Sequence, residues 1–180
     1  MPATRQQLFD HLDGLGATHH TVEHPAVFTV AESEAIHKHE LLPGGHTKNL
    51  FLKDKKGQIF LVVALNDADI DLKQLHKRIG ASGRLSFGKS ELLIEVLGVE
   101  PGSVTPFALI NDTDQRVTVI LDEAMMALAE LNYHPLENTA TTNIGREDFL
   151  RFIRSCGHDP QIIAVSATDI PDAPAAQQVS

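Results

Sequence analysis

Apolar positions repeat at helical spacing in several stretches of the chain. Leu8, Leu12 and Leu15 form one stripe after Thr4, whose hydroxyl can cap a helix that Gly14 or Gly16 closes. Thr29 and Glu32, in T-V-A-E, make a capping box that opens a second short helix towards His37. Leu72, Leu75 and Ile79 follow Asp71 and stop at Gly80, and residues 90–97 give a further helix. Residues 125–131 predict a short helix, and residues 147–156 an amphipathic one through Phe149, Leu150, Ile153 and Arg154, stopped by Gly157.

The remaining apolar runs read as strands. Residues 19–23 end at the His24-Pro25 break, and residues 41–47 hold Pro43-Gly44-Gly45 and predict a loop. Residues 48–53 and 58–65 predict a hairpin around 54–57, and the second run, I-F-L-V-V-A-L, is apolar on both faces and so central. Residues 107–111 and 117–121 predict a second hairpin. Residues 84–87, 133–136, 140–143 and 162–165 predict shorter extended pieces. Without a steady βαβ rhythm, the pattern predicts an α+β domain over residues 1–165, with a mostly antiparallel, strongly curved sheet. Residues 166–180, rich in Ala, Pro, Asp, Gln and Ser, cannot support a core and predict a mobile tail. With no uncovered heptad and no long apolar edge, a monomer is expected.

Composition narrows the partners. The 180 residues are 42% hydrophobic and 22% charged, ordinary for a globular protein. No run reaches the length of a membrane span and no basic-then-apolar leader is evident, so no membrane partner is expected. Cys156 is the single cysteine, which excludes an internal disulfide and makes a reducing cytoplasm the expected compartment. A formal charge of −9 argues against a broad grip on DNA or RNA, though not against contact with one end of an RNA through local basic groups.

Among candidate sites, residues 98–107 read G-V-E-P-G-S-V-T-P-F. Pro101-Gly102 suits the centre of a type II turn, and a turn there can aim N–H groups at one point, where they bind anionic or carbonyl oxygens. The plainer reading is a helix-to-strand connection. Residues 83–90, G-R-L-S-F-G-K-S, match a phosphate-binding loop letter for letter, with the run ending at Asp122 as its magnesium strand. The helical spacing before Gly83 and the bulk of Phe87 argue against it. His19, His20, His37 and His39 lack metal-ligand spacing, so no metal or other cofactor is expected. Cys156 stands at a helix C-terminus, which opposes a thiolate. Ser103 is not in a G-x-S-x-G elbow. Lys48 shares strand parity with Leu50 and Leu52, which points its amine at apolar neighbours; a lysine snorkelling outward is the alternative. His134-Pro135 and residues 138–142 crowd small polar groups that line a pocket or cap a turn.

Four of these pieces occur in order: H-P-A-V-F-T-V-A-E-S at 24–33, T-K-N-L-F-L at 47–52, L-G-V-E-P-G-S-V-T-P-F at 97–107 and H-P-L-E-N-T-A-T-T at 134–142. Together they resemble the YbaK/prolyl-tRNA editing superfamily, most of all its free-standing alanyl-tRNA(Pro) deacylases. The resemblance covers roughly residues 8–165, and it implies an α+β fold with a curved, mostly antiparallel mixed β-sheet or barrel surrounded by helices, together with hydrolysis, in trans, of alanine wrongly attached to proline tRNA. It places the family's lysine on Lys48 and its G-x-x-x-P loop on Gly102, Ser103, Val104 and Pro106. The pocket histidine falls on His134, with Asn49 beside the lysine. Phe28, Val30 and Leu50 become candidate walls of a pocket too small for proline. The implied partner is the acceptor end of aminoacylated tRNA(Pro), and the resemblance also admits prolyl-tRNA synthetase. Cysteinyl-tRNA(Pro) deacylation is the nearest alternative. A phosphate-loop nucleotide hydrolase and a tRNA- or synthetase-binding module without catalysis are the alternatives from other classes.

Overall fold

The computed structural model describes residues 1–26 and 42–166. Phe28, Val30, the Thr29/Glu32 capping box with its helix, His37, His39 and most of the expected tail lie outside the described residues. In chain order the first elements are α1 (Arg5–Gly14), β1 (His19–Glu23), β2 (Gly45–Lys53), β3 (Ile59–Leu65), α2 (Leu75–Ile79), β4 (Ser86–Phe87) and α3 (Ser90–Leu97). Then follow a 3-10 helix (Pro106–Asn111), β5 (Val117–Asp122), a 3-10 turn (Met125–Ala127), β6 (Glu130–Tyr133), β7 (Ala140–Gly145), α4 (Arg146–Ser155) and β8 (Gln161–Ile163).

The strands form one eight-stranded, mostly antiparallel mixed sheet in the order β1-β7-β6-β2-β3-β5-β8, with β4 also paired to β2. β3 is central because its side chains are buried on both faces. Ile59, Leu61 and Val63 enter the larger core, with Leu8 and Leu12 of α1, Leu93 and Leu97 of α3, and Phe149, Phe152 and Ile153 of α4. Phe60 and Val62 point the other way, into a smaller core with Leu52, Ile120, Leu85, Val165 and the α2 residues Leu75 and Ile79. Truncating a fully buried leucine such as Leu61 to alanine costs about 2–5 kcal/mol.

The β2–β3 hairpin turns at Asp54, whose buried carboxylate accepts from the N–H groups of Lys56, Gln58 and Ser82. Burial works against ionisation there, but those donors outweigh it and hold the carboxyl below its ordinary value. Thr4 caps α1 through a reciprocal capping box with Gln7.

Four sequence expectations change. Residues 107–111 form no strand: Thr105 caps them by accepting from the Phe107 N–H, and Pro106 starts a 3-10 helix. β5 therefore has no hairpin partner there and instead lies parallel to β3 and β8. The helix expected over residues 125–131 shortens to a 3-10 turn at Met125–Ala127, and residues 130–133 form β6 instead. Gly45 begins β2 rather than lying in a loop. A Cβ there would lie 2.6 Å from the Leu65 side chain, and one on Gly44 (φ +86) only 2.3 Å from the Glu130 carbonyl oxygen. The paired glycines thus admit β6 close to the start of β2.

Candidate functional site

β2 shares one edge between two partners. β6 pairs with its first residues (Gly45↔Leu131, His46↔Asn132) and β4 with its last (Leu52↔Phe87, Lys53↔Ser86), while β3 runs along the opposite edge. Among the described residues, Lys48, Asn49 and Leu50 have no strand partner on the shared edge. The opening is bounded on the β6 side by the Thr47 hydroxyl, which donates to the Asn132 carbonyl at 2.7 Å. On the β4 side it is bounded by Gly88, whose N–H donates to the Phe51 carbonyl at 2.9 Å. The His46 carbonyl faces the β3 edge, where it accepts from the Asn66 N–H. Alternation therefore aims the N–H and C=O of Asn49 into the opening.

Side chains from both faces of β2 border this window. Lys48 lies on the face of Leu50 and Leu52, half-buried, and its amine donates to the Ala68 carbonyl. Asn49 lies on the larger-core face with Phe51, and its Oδ1 is buried with no partner among the described residues. β6 runs parallel to β2, and their last paired residues, His46↔Asn132, each stand two positions before Lys48 and His134.

His134 follows β6 directly, and its Nδ1 lies 3.0 Å from the Ala140 carbonyl oxygen. Burial holds its pKa below the ordinary value, opposed by that hydrogen bond and aided by nearby His24. The His24 and His134 rings stand 6.2 Å apart. His24 is itself fixed: its Nδ1 donates to the Pro25 carbonyl at 2.8 Å, which leaves Nε2 to accept from the Thr141 hydroxyl at 2.7 Å. The sequence pattern marks His24 only as the end of a strand. The signal for its place is the repeated His-Pro dipeptide, whose two copies the sheet brings together through β1 and β7.

The glycine-proline bend connects the two borders of the window on the larger-core side. α3 leaves from the β4 border, and the chain returns at Phe107, whose ring meets Tyr133 of β6 edge-on at 5.7 Å. Between them the Ser103 N–H donates to the Glu100 carbonyl at 3.0 Å, and Gly102 takes φ +93, the positive value that the second central position of the expected turn requires. Val104 packs on the larger core and Thr105 and Pro106 are buried. Among the described residues, the Val104 and Thr105 N–H groups have no acceptor. The hydrogen bond recorded for the Lys48 amine goes to Ala68 and not to the bend.

A family model described as "Aminoacyl-tRNA editing domain" matches residues 24–152, a span that holds Lys48, Asn49, the bend and His134. The chain belongs to the aminoacyl-tRNA editing domain family. It is 42% identical over 163 residues to "Prolyl-tRNA synthetase associated domain-containing protein 1" of Bos taurus, covering 88% of this chain and 94% of that protein. It is 35% identical over 155 residues to "Prolyl-tRNA editing protein ProX" of Acetoanaerobium sticklandii, covering 86% and 93%. A solved structure described as that of a candidate trans-editing enzyme for prolyl tRNA synthetase superposes with a TM-score of 0.65 at 20% identity, over 88% of this chain and 95% of that one. That last likeness establishes a shared fold.

Other polar groups in this editing domain serve the fold. Residues 83–90 do not curl into a phosphate cradle: Ser86 and Phe87 are paired in β4, and Gly88 is tight against the Phe51 ring, where a Cβ would sit at 2.5 Å. The element before Gly83 is helix α2, not a strand. Asp122 is buried and accepts from the Val165 and Ser166 N–H groups and the Ser166 hydroxyl, which anchors the end of β8. Asp112 holds His158 at 2.9 Å and caps the start of β5 through the N–H groups of Arg116 and Val117. Burial pushes the Cys156 thiol up to about 11, which leaves it a poor nucleophile. Among the described residues, no three His, Cys, Asp or Glu side chains converge as they would on a metal ion.

Proposed function

We propose that this protein is a trans-editing deacylase that hydrolyses alanine from mischarged Ala-tRNA(Pro). The observation that carries the reading is the opening in the β2 edge, bordered by Lys48, Asn49 and His134, with the glycine-proline bend linking its two sides. Family membership and the names of the relatives, which speak of prolyl-tRNA editing and of association with prolyl-tRNA synthetase, support the substrate class. The synthetase is the natural second partner.

An aminoacyl ester is activated already, so hydrolysis needs orientation, a placed water and stabilisation of the developing oxyanion rather than a covalent intermediate. Water attacks the ester carbonyl, the carbonyl oxygen takes the charge, and the ribose oxygen leaves with a proton, giving alanine and tRNA(Pro). The Val104 and Thr105 N–H groups are suited to the oxyanion. Lys48 holds the terminal phosphate or ribose, or protonates the departing oxygen. The Asn49 side-chain oxygen can accept from the substrate ammonium, and His134 orients the water or the neighbouring ribose hydroxyl. Proline is excluded by size, because apolar contacts alone discriminate small side chains weakly.

The test is direct: incubate the protein with Ala-, Cys- and Pro-tRNA(Pro), and separately with ATP. The expected result is loss of the alanyl ester with the prolyl ester intact and no ATP turnover. Preferential loss of the cysteinyl ester would move the assignment to cysteine editing. Binding of tRNA without loss of any ester would replace the enzyme by a binding module.

A further inference from the structure

The charge of this chain is unevenly spread. Residues 48–89 hold nine of its 15 Lys and Arg but only four of its 24 Asp and Glu, a local net charge of +5 in a chain of −9. The fold gathers much of this excess around β4. Lys73, Arg84 and Phe87 line one cleft of about 250 Å³ with Leu52, Leu72 and Leu85. Lys55 lies beside Gly83, next to Arg84, and Lys77 follows on α2. Lys55, Lys73, Lys77 and Arg84 are exposed, and among the described residues none pairs with a carboxylate. Of the five arginines elsewhere, four behave differently: Arg5, Arg116, Arg146 and Arg151 are each paired with Glu or Asp, and among the described residues Arg154 of α4 is not.

Phe87 is 58% exposed at the lip of the same cleft. It pairs with Leu52, on the β2 face that carries Lys48. Lys48 lies four residues back along the strand, roughly 14 Å at ~3.4 Å per residue. β4 is also the border of the window. A strand of RNA with its end in the window can therefore run over β4 without leaving this face.

We infer that this face, built from the β2–β3 turn, α2 and β4, holds the acceptor strand of the tRNA: Lys55, Lys73, Lys77 and Arg84 contact phosphates, and Phe87 stacks on an unpaired base near the 3′ end. Unpaired cations interleaved with an exposed aromatic are the recurrent chemistry of single-strand binding, since phosphates supply salt-dependent affinity and every base has a stacking face. The acidic remainder of the chain confines binding to this patch and keeps it reversible. The inference rests on the tRNA reading above, and it gives a role to residues 83–90 that nucleotide hydrolysis does not.

Binding of uncharged tRNA(Pro) by fluorescence anisotropy, with the full chain, between about 50 and 200 mM salt, tests it. The Lys73→Ala/Arg84→Ala variant should bind about tenfold more weakly, and its plot of log K against log salt should be shallower by about 1.4, at ~0.7 per single-strand phosphate contact. Phe87→Ala should lose about tenfold with its salt slope unchanged. Arg154→Ala, which removes a positive charge from an exposed position of α4, should bind as wild type. Wild-type affinity and slope in the double variant, or a matching loss in Arg154→Ala, would overturn the surface. Ester hydrolysis separates the two claims. A protein that binds through this patch yet cleaves no aminoacyl-tRNA overturns the deacylase reading alone, whereas unchanged kcat/KM in the double variant overturns the surface alone.

Discussion

His134 Nδ1 lies 3.0 Å from the Ala140 carbonyl oxygen, so the neutral ring keeps its proton on Nδ1 and leaves Nε2 as an acceptor. Burial disfavours the imidazolium, and it is also the first cause lowering His46. A neutral ring with a free acceptor can orient a water or a ribose hydroxyl at neutral pH. Protonation would replace that acceptor by a donor.

The pH dependence follows with a definite sign. Hydrolysis of Ala-tRNA(Pro), corrected for spontaneous loss, should fall on an acid limb centred below the ordinary imidazole value of about 6.5. His134→Asn should lower kcat about a hundredfold and remove that limb. Stability moves the same way. Both histidines take up a proton more readily unfolded than folded, so their contribution is complete above about pH 6.5 and is lost as the pH falls from there towards their depressed folded values. The carboxyls of Asp54 and Asp148 are held low, so they begin to titrate only in more acidic solution. Urea midpoints at pH 7.5 and 5.5 should therefore differ, with the lower at pH 5.5, and His134→Asn should narrow the gap.

Lys48 and Lys89 separate the editing reading from the phosphate-loop alternative. Lys48→Ala should reduce kcat/KM for Ala-tRNA(Pro) about a hundredfold, because a charged donor near the reacting ester is lost. Lys89 is exposed at the start of α3 and makes no side-chain cap there, so Lys89→Ala should leave hydrolysis within about twofold of wild type. The reverse order of the two variants would refute the assignment of Lys48.

Asn49 should show opposite effects on activity and stability. Its Oδ1 is buried with no partner among the described residues, which costs folding energy that an apolar side chain would not. Asn49→Leu should therefore unfold at the same or a higher urea concentration, by up to about 1 kcal/mol, while kcat/KM falls about tenfold. Loss of stability together with activity would mean that the amide serves the sheet rather than the substrate.

Gly44 and Gly45 should differ although they are neighbours. The Cβ of Gly45→Ala meets the ends of the Leu65 and Leu128 side chains, which can turn away. That of Gly44→Ala meets the Glu130 backbone, on a residue whose φ of +86 already excludes most side chains. Gly44→Ala should cost about 1–3 kcal/mol and the larger share of activity, since it pushes β6, and with it His134, away from β2. Equal urea midpoints for the two variants would argue against this close approach.

The features legible in the sequence are those that neighbouring residues dictate. The stripe of Leu8 and Leu12 behind Thr4 gives α1, and the unbroken I-F-L-V-V-A-L run gives the buried central β3. Lys48 shares strand parity with Leu50 and Leu52, which pack on the smaller core. Residues 107–111 mislead because F-A-L-I-N suits a strand or a short helix equally; Thr105-Pro106, a cap followed by a first-turn proline, decides for the helix. β6 is illegible for a different reason. Its four residues gain their place by pairing with Gly45 and His46, more than eighty positions away, which no local pattern encodes. The approach of His24 to His134 likewise depends on β1 lying against β7. The window itself is a property of where β6 and β4 stop, so it exists only once the sheet is assembled.

The shared edge of β2 also bears on how the protein avoids sticking to itself. An unpaired strand edge exposes donors and acceptors that can template the addition of a foreign chain. Here, among the described residues, β6 and β4 leave residues 47–51 without a register partner, and the stretch is pinned at both ends by the Thr47 hydroxyl on Asn132 and the Gly88 N–H on Phe51. Flanked by strands at both ends, it leaves the N–H and C=O of Asn49 to a small guest while hindering an intruding polypeptide from zipping along the edge.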